Sequence, residues 1–281
     1  MSHHPLGAIV AALLAALLFA VAAVAQQRAA AAVPEGESLV GSLVRNPRWW
    51  AGIFGDVGGY AMQVAALALG TVLLVQPLLV TALIFALPLA ARLNGRRIEP
   101  RTWATALALA TALACFLLVG NPSEGNSTAP LGDWIVPLAI LLGSVVGAVA
   151  IGVASSDPGR RALLLGAAGG SLYGLAAALT AYVTDLFDDG LGAVLGSWQT
   201  WALIASGLVG VYLQQRAFQA GSLTASLPAV TIAEPLAAAF IGITVLDERL
   251  RTDTLGFVVV AVTVLVMCAT AIRLSRAEAE F

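Results

Sequence analysis

The chain contains no lysine; its 14 basic residues are all arginine. Charge of either sign is scarce, with 16 acidic residues beside those 14 in 281, or 11%. An ordinary soluble domain carries about 25%. With 59% hydrophobic residues and a mean hydropathy of +0.91, the chain has too little polar surface to cover a water-soluble fold of this length. A net charge of −2 offers nothing to nucleic acid. Cysteine is limited to Cys115 and Cys268, both inside long apolar runs, which excludes a disulfide framework or a metal-ligand spacing. Histidine occurs only as His3 and His4, which read as part of a disordered terminus rather than a metal site. No Walker loop, GxSxG elbow or His–Glu metal motif occurs. The chain is therefore not expected to be an enzyme, to hold a cofactor or metal, or to hydrolyse ATP by itself.

Long apolar runs are what the chain does have. A membrane helix needs about 20 apolar residues, and nine segments qualify: 6–25, 50–69, 72–93, 103–119, 134–154, 163–186, 201–220, 223–246 and 255–272. The longest polar linkers, 26–48, 120–129 and 185–199, leave no room for a soluble domain. The fold class expected is an all-α polytopic membrane protein, one transmembrane domain over residues 1–281. The first segment has small residues suited to signal cleavage near Ala23–Ala25, but residues 1–7 lack the basic n-region, so a retained helix is expected.

Arginine orients the spans. With nine alternating crossings, one face receives Arg28, Arg45, Arg48, Arg92, Arg96, Arg97, Arg101, Arg160, Arg161, Arg216, Arg273 and Arg276. The other receives only Arg249 and Arg251. The positive-inside rule puts the first face in the cytoplasm, the C-terminus with it and the N-terminus outside. All six tryptophans (Trp49, Trp50, Trp103, Trp134, Trp198, Trp201) fall at span ends, as in an aromatic belt.

The chain also repeats itself. At an offset of 151, Trp50, Gly59, Gln63, Gly70 and Pro77 match Trp201, Gly210, Gln214, Gly221 and Pro228. At an offset of 125, Pro5-Leu6-Gly7 matches Pro130-Leu131-Gly132, and Ala23-Val24-Ala25 matches Ala148-Val149-Ala150. Repeat one is then about 5–120 and repeat two about 130–275. The first half is one helix short, with a re-entrant or interfacial segment about 36–48 in its place. Spans two and seven, and three and eight, come out oppositely directed, as in the inverted repeats of many secondary transporters. Under nine spans the first and fifth come out parallel; a tenth crossing at residues 38–44 would restore full symmetry.

An inverted pair of four-to-five-helix halves resembles the drug/metabolite transporter superfamily, in its EamA-like group. Ala66-Leu67-Ala68-Leu69-Gly70 and Val75-Gln76-Pro77-Leu78 resemble that family's third and fourth helices, and Leu93-Asn94-Gly95-Arg96-Arg97 its short basic linker. Leu246-Asp247-Glu248-Arg249-Leu250 resembles its Glu-Arg-Leu linker. Trp49-Trp50, Gly55-Asp56 and Pro77-Leu78 are similar to the pattern of NIPA-type magnesium transporters, with Asp for Glu and Leu79 for Gly.

Two acidic residues lie well inside spans, Asp56 and Glu234. A mid-membrane carboxylate costs about 2.5–3.5 kcal/mol on insertion scales, so both are candidate substrate or coupling-ion residues. Glu234 precedes Pro235, which frees a backbone carbonyl. Pro77, Pro228 and Pro235 are candidate kinks. Gln63, Gln76 and Gln214 are costly in lipid; Gln63 and Gln214 are repeat mates and candidates to face a shared cavity. Tyr60, Tyr173 and Tyr212 are candidates to line it, with core packing as the plainer use. Gly166-x3-Gly170-x3-Gly174, Gly55-x3-Gly59 and Gly143-x3-Gly147 suit close helix packing, and a homodimer stays open. The arginine clusters suit anionic-lipid contact. The expected function is secondary transport of small solutes or metabolites across a bacterial inner membrane. A magnesium or divalent-cation carrier and a non-transporting membrane scaffold are the alternatives.

Overall fold

The computed structural model describes residues 5–31, 45–93, 95, 98–123, 125, 129–220 and 223–279. It is built almost wholly of helices: α1 Pro5–Ala31, α2 Pro47–Leu69, α3 Val72–Leu79, α4 Ala82–Leu93, α5 Pro100–Gly120, α6 Leu131–Ala154, α7 Pro158–Asp185, α8 Leu191–Gly196, α9 Trp198–Ala220, α10 Leu223–Thr244 and α11 Thr254–Ala279. A 3₁₀ turn, Leu186–Asp189, extends α7. Two two-residue strands, β1 Pro122–Ser123 and β2 Arg249–Leu250, pair antiparallel. Proline at the first helical position starts several helices, where its missing N–H costs nothing. Asn46 accepts from Arg48 N ahead of Pro47, and Asp157 accepts from Gly159 N and Arg160 N ahead of Pro158.

Among the described residues seven helices are long and apolar enough to cross a membrane: Leu6–Ala25, Pro47–Leu69, Val72–Leu93, Pro100–Gly120, Leu131–Ala154, Pro158–Asp189 and Thr254–Leu274. The expected seventh and eighth spans are helical as α9 and α10; in α10 the apolar stretch is the shorter Pro228–Thr244. Residues 32–44, which hold most of the expected re-entrant segment, lie outside those described.

The third span is not one helix. It breaks at Val80–Thr81 into α3 and α4, where the Thr81 hydroxyl and N–H both donate to Leu78 O. Pro77 removes the ladder donor that Leu73 O would otherwise receive. The matching α10 runs unbroken through Pro228 and Pro235.

Helix α7 is the hub, packed against α10, α9, α6 and α2. Its glycine stripe lies directly on α10. A Cβ on Gly166 would sit 2.9 Å from Ser226 O and one on Gly170 2.5 Å from Val230 O, while one on Gly174 would meet Glu234 O. Only glycine permits backbones this close. Gly55 and Gly59 of α2 likewise meet Ala22 and Phe19 of α1. Gly143 and Gly147 depart from the expectation of close packing, since no atom lies within 4 Å of a Cβ at either. Their helix shows only one face to its neighbours.

The helix bounds share the spacing of the sequence matches. α2 and α9 begin and end 151 residues apart, as do the α3–α4 pair and α10. The packing offers a correspondence at the start of the chain other than the expected one. A Cβ on Gly59 would press on the Phe19 ring at 2.7 Å, and its mate Gly210 on the Tyr173 ring at 2.9 Å. Helix α1 thus sits on α2 as α7 sits on α9. At the same offset of 154, buried Ala12, Ala15, Ala16 and Ala20 stand where α7 has Gly166, Gly169, Gly170 and Gly174. The offset-125 matches to α6 rest on short stretches rich in Ala, Val and Gly, which this composition supplies cheaply.

All six tryptophans occur in the first turn of a helix, but Trp134 is not part of a belt. It is fully buried and makes edge-on contacts with Tyr182 and Trp198 at 5.7 and 5.3 Å. These rings tie the starts of α6 and α9 to the end of α7.

Candidate functional site

Tyr173 is the point on α7 where the expected site residues meet. Its hydroxyl donates to Gln214 Oε1 of α9 at 2.7 Å. Glu234 of α10 and Asp56 of α2 both lie within electrostatic reach of that hydroxyl. Two turns further along α7, the Thr180 hydroxyl hydrogen-bonds the hydroxyl of Tyr60 on α2 at 2.9 Å and also donates to Ala176 O. Four helices thereby bring Asp56, Tyr60, Tyr173, Gln214 and Glu234 into one polar seam on an apolar hub. The small residues of α7 make this possible, because they let α9 and α10 approach until short side chains reach across. The backbone of Glu234 itself rests on Gly174.

Glu234 accepts no hydrogen bond from the described residues and has no cation beside it. Chemically, the seam offers two carboxyl groups, two phenols and an amide.

Other expected site residues are placed differently. Gln63 is buried in α2 at 5% exposure. Gln76, at 2% exposure, has both side-chain polar atoms buried without a partner. An orphaned buried amide costs about 1–3 kcal/mol, a price met at the helix that breaks four residues later. Tyr212 is turned away from the seam and 61% exposed. The face of α9 on the hub is Gly210, Leu213 and Ala217, and Tyr212 falls on the opposite side of the 3.6-residue period. Its assignment followed residue type and not helical phase. Among the described residues no three His, Cys, Asp or Glu side chains come together as a metal cluster.

One structural residue was named only through a resemblance. Glu248 is 3% exposed and accepts from Val72 N at 2.7 Å and Leu73 N at 2.8 Å, capping broken helix α3 from the opposite half of the chain. Burial pushes its carboxyl up to about 7, and the two amide donors pull the other way. Gly242 and Gly125 leave the room it occupies. The neighbouring Asp247, at a positive φ of 51°, forms an exposed ion pair with Arg249. A capping role across 176 residues of sequence carries no local signal.

No family model matches the chain, and no solved structure matches it. An uncharacterized protein of Corynebacterium glutamicum is 37% identical over 277 residues, covering 96% of this chain and 94% of that protein.

Proposed function

The chain belongs to one family with that Corynebacterium protein, and we propose that it is a secondary active transporter of small solutes or metabolites in a bacterial inner membrane. Nine spans form two inverted halves, with the N-terminus outside and the arginine-rich ends and C-terminus in the cytoplasm. We pair α2 with α9 and α3–α4 with α10 by their common offset of 151, α1 with α7 by how each lies on its neighbour, and α5 with α11 by order along the chain. Each mate stands five spans further on. Five is odd, so every pair runs in opposite directions without a tenth crossing, and α6 is the helix without a mate.

The observation that carries the reading is that the Glu234 backbone rests on Gly174 of the hub, next to Tyr173, with Asp56 of α2 in electrostatic reach of the same tyrosine. Intramembrane carboxylates mark ion and substrate paths. A broken helix beside them is the second support, since discontinuous helices form many transporter sites. A Cβ on Gly242 of α10 would lie 3.7 Å from Val72 Cβ of α3. Substrate binds between the halves, Glu234 carries the coupling proton or cation, and rocking of the halves alternates access.

The test begins with a thermal-shift screen of metabolites and cations on the purified protein. Uptake of any stabilising compound is then followed in proteoliposomes. Glu234→Gln is expected to abolish coupled uptake while leaving the melting temperature near that of the wild type. Unchanged uptake would overturn the role of Glu234. A screen in which nothing stabilises the protein would favour a scaffold, and stabilisation by Mg²⁺ with Mg²⁺ flux would make it a cation carrier.

A further inference from the structure

Away from the seam, the ends of α5 and α11 enclose a cleft of about 190 Å³, lined by Arg101, Thr102 and Thr105 of α5 and by Arg273 and Leu274 of α11. We propose that this cleft binds a phosphate group, presented as the headgroup phosphate of an anionic phospholipid. The inference rests on the helices spanning a membrane and not on what they transport.

The charge is the first argument. Two guanidinium groups from different helices flank the cleft, and among the described residues neither has a hydrogen bond or an ion pair. Arginine matches phosphate in a two-pronged geometry, and a pair of arginines holds it from two sides. The positive end of the α5 dipole adds to the field. Glu99 is the acidic residue nearest in sequence; it is exposed, precedes α5 and does not line the cleft. The first-turn amides of Thr102 and Trp103 are spent on Glu99 O, so the arginine side chains and the Thr102 hydroxyl are the donors left.

Size and position are the second argument. A volume of about 190 Å³ is ample for a tetrahedral phosphodiester. Trp103, next to Thr102, is 51% exposed at a helix end, the depth at which tryptophan marks the headgroup layer. A shallow apolar groove formed by Ile84, Pro88, Ile98, Trp103 and Ala106 shares Thr102 with the cleft. A polar pocket opening onto an apolar groove fits a headgroup with its acyl chain. It fits free phosphate less well, since phosphate would leave the groove unused. Basic pockets between membrane helices on the cytoplasmic side recur as anionic-lipid sites.

The full chain is reconstituted in nanodiscs of phosphatidylcholine, with or without phosphatidylglycerol, and its melting temperature is compared with that of Arg101→Gln/Arg273→Gln and of Arg160→Gln. Phosphatidylglycerol is expected to raise the melting temperature of the wild type. The double variant is expected to lose that rise, with roughly fivefold weaker lipid retention per arginine removed. Arg160→Gln, which removes a charge outside the cleft, is expected to keep it. A rise that survives in the double variant, or vanishes equally in Arg160→Gln, overturns the site. Inorganic phosphate added to phosphatidylcholine discs separates the sources: an equal rise there overturns the lipid assignment in favour of a soluble anion. Native mass spectrometry of the wild type gives a readout free of any variant's folding, and retention of phosphatidylglycerol no better than phosphatidylcholine overturns the proposal.

Discussion

Helices α6 and α7 adjoin in sequence and in space, and both carry glycines four residues apart, yet the glycines have opposite surroundings. In α7 the stripe Gly166, Gly170, Gly174 lies on the backbone of α10. In α6, Gly143 and Gly147 face open space. Of the most apolar stretch of each helix, 72% is buried in α7 and 22% in α6. The difference lies in the other faces. α7 carries small buried residues beyond its glycine stripe, with Ala168, Ala176, Ala177, Ala178 and Thr180 all buried, and four helices pack around it. α6 is ringed by exposed Ile135, Val136, Ile140, Val146, Ile151 and Val153, which suit lipid tails. Lipid is as apolar as these side chains, so nothing drives them inward. A glycine stripe therefore permits close contact but does not create it.

The sharpest way to break this comparison is to fill the stripe in α7. Gly170→Leu is expected to abolish folded, monodisperse protein in detergent, with Gly170→Ala intermediate. Overpacked cores usually lose about 1–3 kcal/mol. Here the obstacle is the Val230 carbonyl at 2.5 Å and not the end of a flexible side chain, so the loss should exceed that range. Size-exclusion chromatography and a melting curve give the answer. A Gly170→Leu protein that melts like the wild type would mean α7 and α10 are not in backbone contact.

The carboxylates extend the comparison, since one residue type again sits in two settings. Glu248 is buried with two amide donors, whereas Glu234 has none among the described residues. The carboxyl of Glu248 is pushed from 4.5 up to about 7 by burial. The native state thus holds its proton more tightly than the unfolded chain does. The stability this proton contributes is complete below about pH 4.5 and is lost as pH rises through about 7. Glu248→Gln cannot titrate, so the wild type should lose stability relative to this variant between about pH 5 and 8, at about 1.4 kcal/mol per pH unit of the titrated interval. Melting curves at the two pH values measure it. A constant gap between the two proteins would mean that the carboxyl at the start of α3 is solvated.

Much of this was legible in the sequence, and what was not has a common cause. Apolar length gave the helices, because a bilayer sets one scale for all of them. The offset of 151 is also the spacing of α2 to α9 and of α3–α4 to α10, although the expected spans missed the observed bounds by two or three residues; Trp, Gly and Pro matches are rare by chance. Asp56, Glu234 and Gln214 stood out because polar groups are costly in lipid. The break at Val80–Thr81, the cap by Glu248, the burial of Trp134 and the outward turn of Tyr212 were not legible. Each depends on which face of a helix meets which neighbour, and the hydrophobic periodicity that reveals faces in a soluble protein is erased when lipid covers the outside. The likeness between α1 on α2 and α7 on α9 was hidden for a related reason: buried alanine in one helix stands where the other has glycine, so matching letters misses similar packing.

The smallest expected effect completes the comparison from the lipid side. Gly147→Leu in α6 adds a large apolar side chain where no atom lies within 4 Å. It also replaces a residue that costs about 1 kcal/mol in a helix interior with one of the better helix formers. Both terms predict a melting temperature equal to that of the wild type or slightly higher, with folded yield unchanged. The same substitution bears on whether α6 is a dimer face, for which its small-residue stripe would suit close approach of a second copy. If lipid alone covers the face, cross-linking and light scattering in nanodiscs should give one mass for wild type and variant alike. A wild-type dimer that Gly147→Leu converts to monomer would show that the open stripe awaits a partner, and the contrast with α7 would then be one of timing in assembly rather than of environment.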